Sequence, residues 1–434
     1  MANEAPGRRR FLKTAGAAAL AAPLLSATPR AANDKVNIAF IGVGRMGTEN
    51  IGYCAKVPGF EIVAVCDVYQ PALDAAVELA RNSGFAAVKP VRDFRQILAD
   101  SSIDAICIST PDHWHAYMAV EACKAGKDVW VEKPACVYVD EGISMIQAAR
   151  KFDCVVQAGT MQRSGAFFRK AHEIVKHGDL GDITFCRAFQ SELSSKEGWG
   201  NPPDCDPPRD LDWNLWLGPA PARPFNPNRF GVFPHRWSSF RYFWDYAGGA
   251  MTDWGVHLLD IVHLAFDEVM PLEISAQGGK FYATDNTETP DTMQVTYRYP
   301  GFIGSYEIRQ ANPFPLYDAA YGTAFHGTEA TLMVNRDGYT LFRKGAAPVV
   351  EKDRAMAEMN VPHWRNFLAA IRSRQRPTSD VETCVRSTIA CVLANLSMRH
   401  GLTLTWDDHA MTVRQPEARS YLQATYRAPW KLEV

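Results

Sequence analysis

Three glycines near the amino terminus have the spacing of a dinucleotide-binding loop. The segment consists of Gly42, Val43, Gly44, Arg45, Met46 and Gly47. The apolar run 36–41 precedes it and a helix is predicted from about residue 46, which is the context that the pattern Gly-x-Gly-x-x-Gly requires. Glycines at these positions allow a tight turn and let a pyrophosphate approach backbone N–H groups at the start of the helix.

An aspartate ends the second predicted strand, residues 61–66. Asp67 lies twenty residues after Gly47, where a carboxylate can hold the ribose hydroxyls of the adenosine. A carboxylate at this position repels a 2′-phosphate, so NAD is favoured over NADP. The sequence therefore predicts NAD as the cofactor, bound by the glycine loop and Asp67.

Two further groups of polar residues follow predicted strands 105–109 and 128–131. The first group is Thr110, Pro111, Asp112, His113, Trp114 and His115, and the second is Glu132 and Lys133. Open α/β sheets bind ligands outside the carboxyl ends of their strands, so both groups are candidates for the nucleotide site. The alternatives are a helix start at Pro111 and Asp112 and a solvated surface cation at Lys133.

The run from Gly248 contains an aspartate and a histidine four residues apart. If a helix begins near Ala250, Asp253 and His257 share one face of it. The same spacing serves metal sites, but Asp260 and His263 fall on other faces and supply no third ligand. The pair is therefore interpreted as an acid–base pair or a helix-surface hydrogen bond, and no metal site is predicted.

The alternation of strands and helices predicts two folded domains. Residues 33–158 have the pattern of a doubly wound parallel sheet, which is a Rossmann domain. Residues 159–400 predict an α+β domain with a large, mostly antiparallel sheet. Its strands are expected at 183–189, 272–278, 293–299, 303–308, 321–326 and 331–334. A Trp- and Pro-rich insertion at 199–237, helices within 363–398 that pack back on the first domain, and a tail at 401–434 complete the prediction.

The first 32 residues have the features of an export signal. Three arginines with Phe11, Leu12 and Lys13 precede an Ala-rich apolar stretch at 15–25, which is typical of a twin-arginine (Tat) signal peptide. The apolar stretch is too short for a comfortable membrane span. We therefore expect export by the Tat machinery to the periplasm or medium, with no stable membrane span after signal removal. A disordered basic leader and an uncleaved anchor are the alternatives.

Composition excludes some classes of partner. The chain has 434 residues, 47% hydrophobic and 22% charged, with a formal net charge of -2, so nucleic acid and anionic lipid are not expected as main partners. The ten cysteines contain no Cys-x-x-Cys pair and fall mostly in apolar strand and helix patterns, so most are expected to be buried thiols. The eleven tryptophans suit either sugar rings or a packed core.

Together these motifs resemble the glucose-fructose oxidoreductase, inositol dehydrogenase and rhizopine-catabolism family, written Gfo/Idh/MocA, and in particular an exported branch of it. The resemblance rests on the glycine loop, the run ending at His115, Glu132-Lys133-Pro134, and the run ending at His257. It implies that Lys133, Asp253 and His257 line the substrate site and that Gln162 lies near the cofactor. Members act mostly on sugars, polyols and their derivatives. No resemblance is claimed beyond residue 400.

Three functional classes follow. The first is an oxidoreductase acting on a secondary hydroxyl of a sugar, polyol or glycoside, with His257 as base, Asp253 orienting it, and Lys133 stabilising the alkoxide or acting as the base itself. The second is an NAD-dependent glycosidase or lyase that works by transient oxidation and elimination. In the exported glycosidase branch of the family, a Tyr-Pro-Thr-His-like run replaces the Asp-x-x-x-His motif that this chain keeps. The third is a non-catalytic sugar-binding protein.

A homodimer or homotetramer is also expected. The predicted antiparallel sheet has too few helices to cover both of its faces, and an exposed apolar face usually finds a partner.

Overall fold

The computed structural model describes residues 35–231, 237–353 and 358–434. The predicted signal peptide, residues 1–32, lies outside the described residues. Two sheets organise the rest of the chain, as predicted: a parallel sheet formed by the amino-terminal part and a larger mixed sheet formed by the remainder. Within the described ranges, no helix is both long enough and apolar enough to cross a membrane.

The first sheet has six parallel strands in the order β3-β2-β1-β4-β5-β6. They are β1 Val36–Ile41, β2 Phe60–Cys66, β3 Lys89–Val91, β4 Ala105–Ile108, β5 Asp128–Val131 and β6 Val156–Ala158. The helices between them are α1 Arg45–Cys54, α2 Gln70–Asn82, α3 Phe94–Ala99, α4 His115–Lys124 and α5 Val139–Lys151. The order reverses between β1 and β4, and doubly wound sheets bind dinucleotides in the crevice at that point. The Rossmann prediction is confirmed.

The second sheet has ten strands in the order β14-β13-β12-β11-β7-β10-β9-β8-β15-β16. They are β7 Ile183–Ser191, β8 Glu273–Gly279, β9 Thr292–Arg298, β10 Ile303–Arg309, β11 Tyr321–Gly327, β12 Ala330–Asn335, β13 Gly338–Arg343, β14 Val349–Glu351, β15 Leu404–Asp407 and β16 Thr412–Val413. Among the described strands of this second sheet, β7 and β10 are the one parallel pair, so the prediction of a mostly antiparallel sheet is confirmed. Sequence analysis missed β13 to β16, which are too short or too near turns to show a clear alternation.

Helices cover one face of the second sheet. In chain order the remaining helices are α6 Ala166–Lys176, α7 Trp213–Leu217, α8 Pro227–Phe230, α9 Gly249–Asp253, α10 Gly255–Ala265, α11 Asn360–Ser373 and α12 Val381–His400. Thr323 of β11 donates to the Leu258 carbonyl of α10 at 2.9 Å, and Tyr297 of β9 donates to the Ala390 carbonyl of α12 at 3.3 Å. The opposite face of β8 and β9 presents polar side chains such as Gln277, Gln294 and Thr296.

Helix α11 packs on the first sheet although it follows the second in sequence. The Trp364 ring stacks on Trp130 of β5 with centroids 4.0 Å apart and 5° between planes. Phe60 of β2 packs against the edge of Trp364. Aromatic pairs of this kind stabilise a fold by more than their buried area alone would. Helix α11 therefore holds the two halves of the chain together.

The Trp- and Pro-rich insertion shares a small core with residues 240–247, which follow it. The buried members of this core are Leu211, Trp216, Leu217, Ala220, Phe225, Phe230, Phe240, Phe243, Tyr246 and Ala247. The insertion is anchored to the first domain, because the Trp216 carbonyl accepts from the Trp114 indole at 2.9 Å and lies 3.1 Å from the His113 ring. Most of its aromatic residues therefore form a packed core rather than a sugar platform.

The last part of the chain is integrated into the fold and is not a loose tail. Strand β15 extends the second sheet by pairing with β8. The chain then returns to the first domain, where the Tyr426 hydroxyl donates to Glu141 at 2.7 Å and Trp430 packs edge-on against Trp114 at 4.9 Å. Sequence analysis could not see this because the strands are two to four residues long and the other contacts are made by isolated side chains.

Candidate functional site

A large cavity of about 950 Å³ lies at the carboxyl ends of the parallel strands. Twelve of the fourteen predicted site residues line it: Gly42, Gly44, Arg45, Met46, Asp67, Thr110, Pro111, His115, Glu132, Lys133, Asp253 and His257. The remaining two, Gly47 and Gln162, lie behind the wall. The cavity is shared by both domains, because α9 and α10 of the second domain face the strand ends of the first.

The glycine loop is shaped by contacts that exclude a side chain. Gly42 has φ of +78°, and a Cβ there would lie 2.6 Å from the Thr110 nitrogen. A Cβ at Gly47 would lie 2.1 Å from the Gly42 carbonyl oxygen, so Gly47 permits close packing of loop and helix rather than lining the cavity. At Gly44, by contrast, a Cβ would meet no described atom within 4 Å. This open side gives a pyrophosphate room to approach the start of α1.

Asp67 is held rigidly where the adenosine ribose is expected. Its two carboxylate oxygens accept from the backbone nitrogens of Val43 at 2.8 Å and Tyr69 at 2.9 Å. The carboxylate is thus fixed beside the glycine loop. These residues fit NAD, which would be held by the loop and Asp67 and would supply the hydride acceptor when bound.

Lys133, Asp253 and Arg241 form a charged cluster on the cavity wall. The Lys133 ammonium donates to the Asp253 carboxylate at 2.5 Å and to its backbone carbonyl at 3.0 Å. The Arg241 Nε donates to the same carboxylate oxygen at 3.2 Å. Burial favours the neutral acid, but the charges of Lys133 and Arg241 hold the pKa of Asp253 well below its usual range. Asp253 is therefore a permanent anion that positions the ammonium.

His257 is buried beside this cluster and is neutral. Burial, followed by the charges of Arg336 and Lys133, lowers the pKa of His257 well below its usual range. Its Nδ1 finds no hydrogen-bond partner among the described residues. The expected hydrogen bond from the His257 ring to the Asp253 carboxylate is not found among the described residues. Helix α9 ends at Asp253 and α10 begins at Gly255, and the carboxylate is turned toward Lys133 and Arg241.

Gln162 supports this wall from behind. It is 1% exposed. Its amide donates to the His257 carbonyl at 2.8 Å and its oxygen accepts from the Arg336 Nε at 3.1 Å. It therefore holds a histidine and an arginine of the cavity.

The turn between β4 and α4 is pinned to the Lys133-Pro134 turn. The two ring nitrogens of His115 lie 2.7 Å from the Pro134 carbonyl and 2.9 Å from the Thr110 carbonyl. Burial lowers the pKa of His115 to about 4, so the neutral ring donates to one of the two carbonyls. Glu132 is similarly fixed, since it accepts from the Asn50 amide at 2.8 Å and the Trp130 indole at 3.2 Å.

Two arginines of the cavity were not found from the sequence. Arg241 follows the Trp-rich insertion, and Arg336 lies in the turn between β12 and β13. Burial lowers the pKa of Arg336, and its guanidinium lies 5.1 Å from the centroid of the Trp254 ring. Neither arginine has a local motif, so no signal in the sequence separates them from surface cations.

Comparison with protein families gives two matches. Residues 36–160 match a model described as an oxidoreductase family, NAD-binding Rossmann fold, and residues 195–432 match one described as an oxidoreductase family, C-terminal alpha/beta domain. The second match extends beyond residue 400, where the sequence motifs gave no resemblance.

Curated relatives include a glycosyl hydrolase family 109 protein of Shewanella baltica, 34% identical over 44% of this chain and 49% of the relative. An alpha-N-acetylgalactosaminidase of Shewanella oneidensis is 33% identical over the same shares. The chain thus spans about half the length of the curated relatives it matches.

Among solved structures, the fold is similar to levoglucosan dehydrogenase in complex with NADH and levoglucosan, with 18% identity and a TM-score of 0.64 over 86% of this chain and 99% of that one. The WlbA dehydrogenase of Bordetella pertussis, in complex with NADH and UDP-GlcNAcA, gives the same identity, TM-score and coverage.

Proposed function

Because the chain belongs to the Gfo/Idh/MocA oxidoreductase family, we propose that it is an NAD-dependent oxidoreductase acting on a secondary hydroxyl of a sugar, polyol or glycoside. The observation that carries the proposal is the Lys133–Asp253 ion pair beside a neutral His257, in one cavity with the glycine loop. A non-catalytic sugar-binding protein would have no need to bury such a cluster at the nucleotide site.

In this proposal the residues divide the work of removing a proton and a hydride. His257 lines the cavity and is uncharged, so its imidazole is assigned the hydroxyl proton. Lys133 keeps one of its three N–H donors after two go to Asp253, and this donor stabilises the developing alkoxide. Lys133 remains the alternative base. NAD, when bound, takes the hydride.

A second candidate is an NAD-dependent glycosidase that works through transient oxidation and elimination. The support is the 34% identity to proteins named glycosyl hydrolase family 109. Against it stands the Asp-x-x-x-His run ending at His257, which differs from the run expected of that branch.

The two candidates are separated by their products. Purified protein would be incubated with a panel of sugars, polyols and methyl glycosides, and the products identified by mass. A ketone two mass units lighter than the substrate supports the oxidoreductase, and release of methanol supports the glycosidase. Lys133→Met serves as the inactive control. Absence of both products from the whole panel would refute both candidates.

We further propose that the chain is exported by the Tat machinery and completes its redox cycle on tightly held NAD. A protein exported folded can carry its nucleotide with it, and free NAD is scarce outside the cytoplasm. NADH must then be oxidised in the site, either as it reduces a second sugar or as it reduces the oxidised sugar back to an alcohol.

The closed cycle has a direct test. The protein would be purified without added nucleotide and denatured, and NAD(H) assayed in the supernatant. Near-stoichiometric nucleotide, with turnover on sugar pairs or glycosides without external NAD, supports the cycle. Protein recovered empty and active only with continuously supplied NAD contradicts it.

We also propose a homodimer or homotetramer. The sequence led us to expect an exposed apolar sheet face, but the uncovered face of β8 and β9 is polar. The proposal of an oligomer therefore rests on a different surface. Large apolar side chains are instead exposed beyond the strand ends, with Leu193 66%, Phe281 75% and Phe314 72% exposed. Light scattering at micromolar concentration should give a multiple of the 48.2 kDa chain mass, and a monomer would contradict the proposal.

A further inference from the structure

The carboxyl group of Asp112 is the exception among the buried acids of this protein. Eight aspartates and glutamates are buried in the described ranges: Asp112, Asp128, Glu132, Glu141, Asp260, Asp285, Asp291 and Asp380. Seven of them receive hydrogen bonds from other residues. For Asp112, no donor other than its own backbone nitrogen is found among the described residues. Burying a carboxyl group without partners costs free energy, and this cost is usually avoided.

Asp112 lines the same cavity as the proposed catalytic group. It is 6% exposed and begins the 3₁₀ turn Asp112–Trp114, directly after the loop that follows β4. It does not cap this turn, because the residue at the N-cap position is Pro111. The alternative given in the sequence analysis, that Asp112 only caps the start of a helix, is therefore not supported by the geometry.

The charged groups that act on Asp112 belong to both domains. They are Arg241 and Lys133, which favour its anionic form, and Asp253, which opposes it. Burial outweighs the two cations and raises the pKa of Asp112 to about 7. Both protonation states are therefore populated near neutral pH, which is the condition for efficient proton transfer in either direction.

We propose that Asp112 is a second proton-transfer residue of this site, which moves a proton at the carbon next to the oxidised carbon of the substrate. This inference rests on the proposed function. It separates two tasks: His257 or Lys133 handles the hydroxyl proton, and Asp112 handles a C–H proton.

The step is a proton exchange and needs no further reactant. The step begins from the ketone that the proposed oxidation would supply, for which NAD, when bound, would be the hydride acceptor. The C–H bond beside the ketone then breaks, its proton passes to the Asp112 carboxylate, and the electron pair forms an enolate whose oxygen is stabilised by Lys133. The Asp112 acid exchanges its proton with solvent and returns it to carbon. Where that carbon's neighbour carries a leaving group, the same enolate permits elimination.

Deuterium incorporation tests the inference. The probe is the methyl glycoside from the panel that reduces the protein's NAD, incubated in D2O, with the position of deuterium read by NMR. The unmodified protein should incorporate deuterium beside the oxidised carbon. Asp112→Asn should slow exchange about a hundredfold, and should slow it far more than it slows single-turnover NADH formation. Asp112→Glu should restore part of the exchange.

Matched controls make each outcome decisive. Asp267→Asn changes an aspartate whose side chain is 82% exposed, and it should leave both rates unchanged. If Asp112→Asn exchanges normally, or slows NADH formation and exchange equally, or loses NAD instead, Asp112 has a binding or structural role and the inference is wrong. Exchange absent from the unmodified protein would also overturn it. Absence of NADH formation with every glycoside would refute the proposed function itself, and the inference with it.

Discussion

The side chains of the cavity divide into one permanent ion pair and several neutral groups that burial has kept uncharged. Asp253 stays ionised because Lys133 and Arg241 donate to it, whereas His257 loses its charge through burial and the nearby cations. An isolated Asp–His pair read from the sequence does not distinguish these states. The distinction matters because only the uncharged form of an imidazole can accept a proton.

Removing either proposed catalytic side chain tests this division. His257→Ala and Lys133→Met should each lower turnover by about a hundredfold or more, since each removes a group that acts on the reacting hydroxyl. Steady-state rates on the identified substrate measure the loss, and circular dichroism checks that the variants fold. Near-normal turnover in both folded variants would show that the chemistry lies elsewhere.

We expect Asp67 to decide which nucleotide is accepted. Its carboxylate is fixed by the backbone nitrogens of Val43 and Tyr69, so it cannot turn away from a 2′-phosphate. Asp67→Ala should weaken NAD binding and narrow the preference for NAD over NADP. Calorimetric titration of both nucleotides measures the ratio. Equal affinity of the unmodified protein for NAD and NADP would contradict the assignment.

Among the elements, the insertion brings a tryptophan to the cavity mouth. Trp237 is 45% exposed, and its ring lies 4.2 Å from the guanidinium of Arg45 in the glycine loop and 5.6 Å from that of Arg241. Trp237 therefore connects the glycine loop with the charged cluster of Lys133, Asp253 and Arg241 on the cavity wall. This position suits a role in retaining the nucleotide.

Trp237→Ala should release NAD faster. Loss of one exposed cation–π contact corresponds to about a fivefold change, measured as the dissociation rate of bound NADH by fluorescence. Phe281→Ala is the matched control, because Phe281 is 75% exposed and lies outside the cavity wall. Equal NADH dissociation rates for the two variants would show that Trp237 does not help to retain the cofactor.

For the molecule as a whole, buried titratable groups set the response to acid. Burial lowers the pKa of five histidines: well below the usual range for His257, to about 3 for His113 and His263, and to about 4 for His115 and His363. Burial raises the pKa of Asp112 and Glu141 to about 7. Between about pH 6 and 5 the five histidines bind protons mainly when unfolded, and the two acids bind protons mainly when folded.

The free energy of unfolding should therefore fall as the pH drops below 6.5. Five histidines oppose two acids, which leaves about three protons, and each is worth about 1.4 kcal/mol per pH unit. Urea unfolding at pH 6.5 and 5.0 measures the loss, and His363→Gln should make the dependence shallower. A free energy of unfolding that stays constant or rises over this interval would contradict the assignment of buried neutral histidines.

The sequence by itself determined the features that depend on local pattern. The strand, glycine loop and helix around Gly44 are contiguous, and their geometry follows from steric rules that act within a few residues. The same holds for five strands of the parallel first sheet, which are short, buried apolar runs, and for the positions of Lys133 and Asp253 near strand and helix ends. The sixth strand, β3, is partly exposed and was not predicted. NAD as the cofactor follows from these local features.

Only the tertiary structure decided which charges meet. Lys133 and Asp253 are 120 residues apart, and Arg336 reaches the cavity from a turn in the second sheet, so their pairing depends on how the two domains pack. Burial, which sets whether His257 and Asp112 carry a charge, is likewise a property of the assembled cavity. Strands β14 to β16 also depended on the tertiary structure, because a strand of two to four residues is stabilised by its neighbours in the sheet more than by its own sequence.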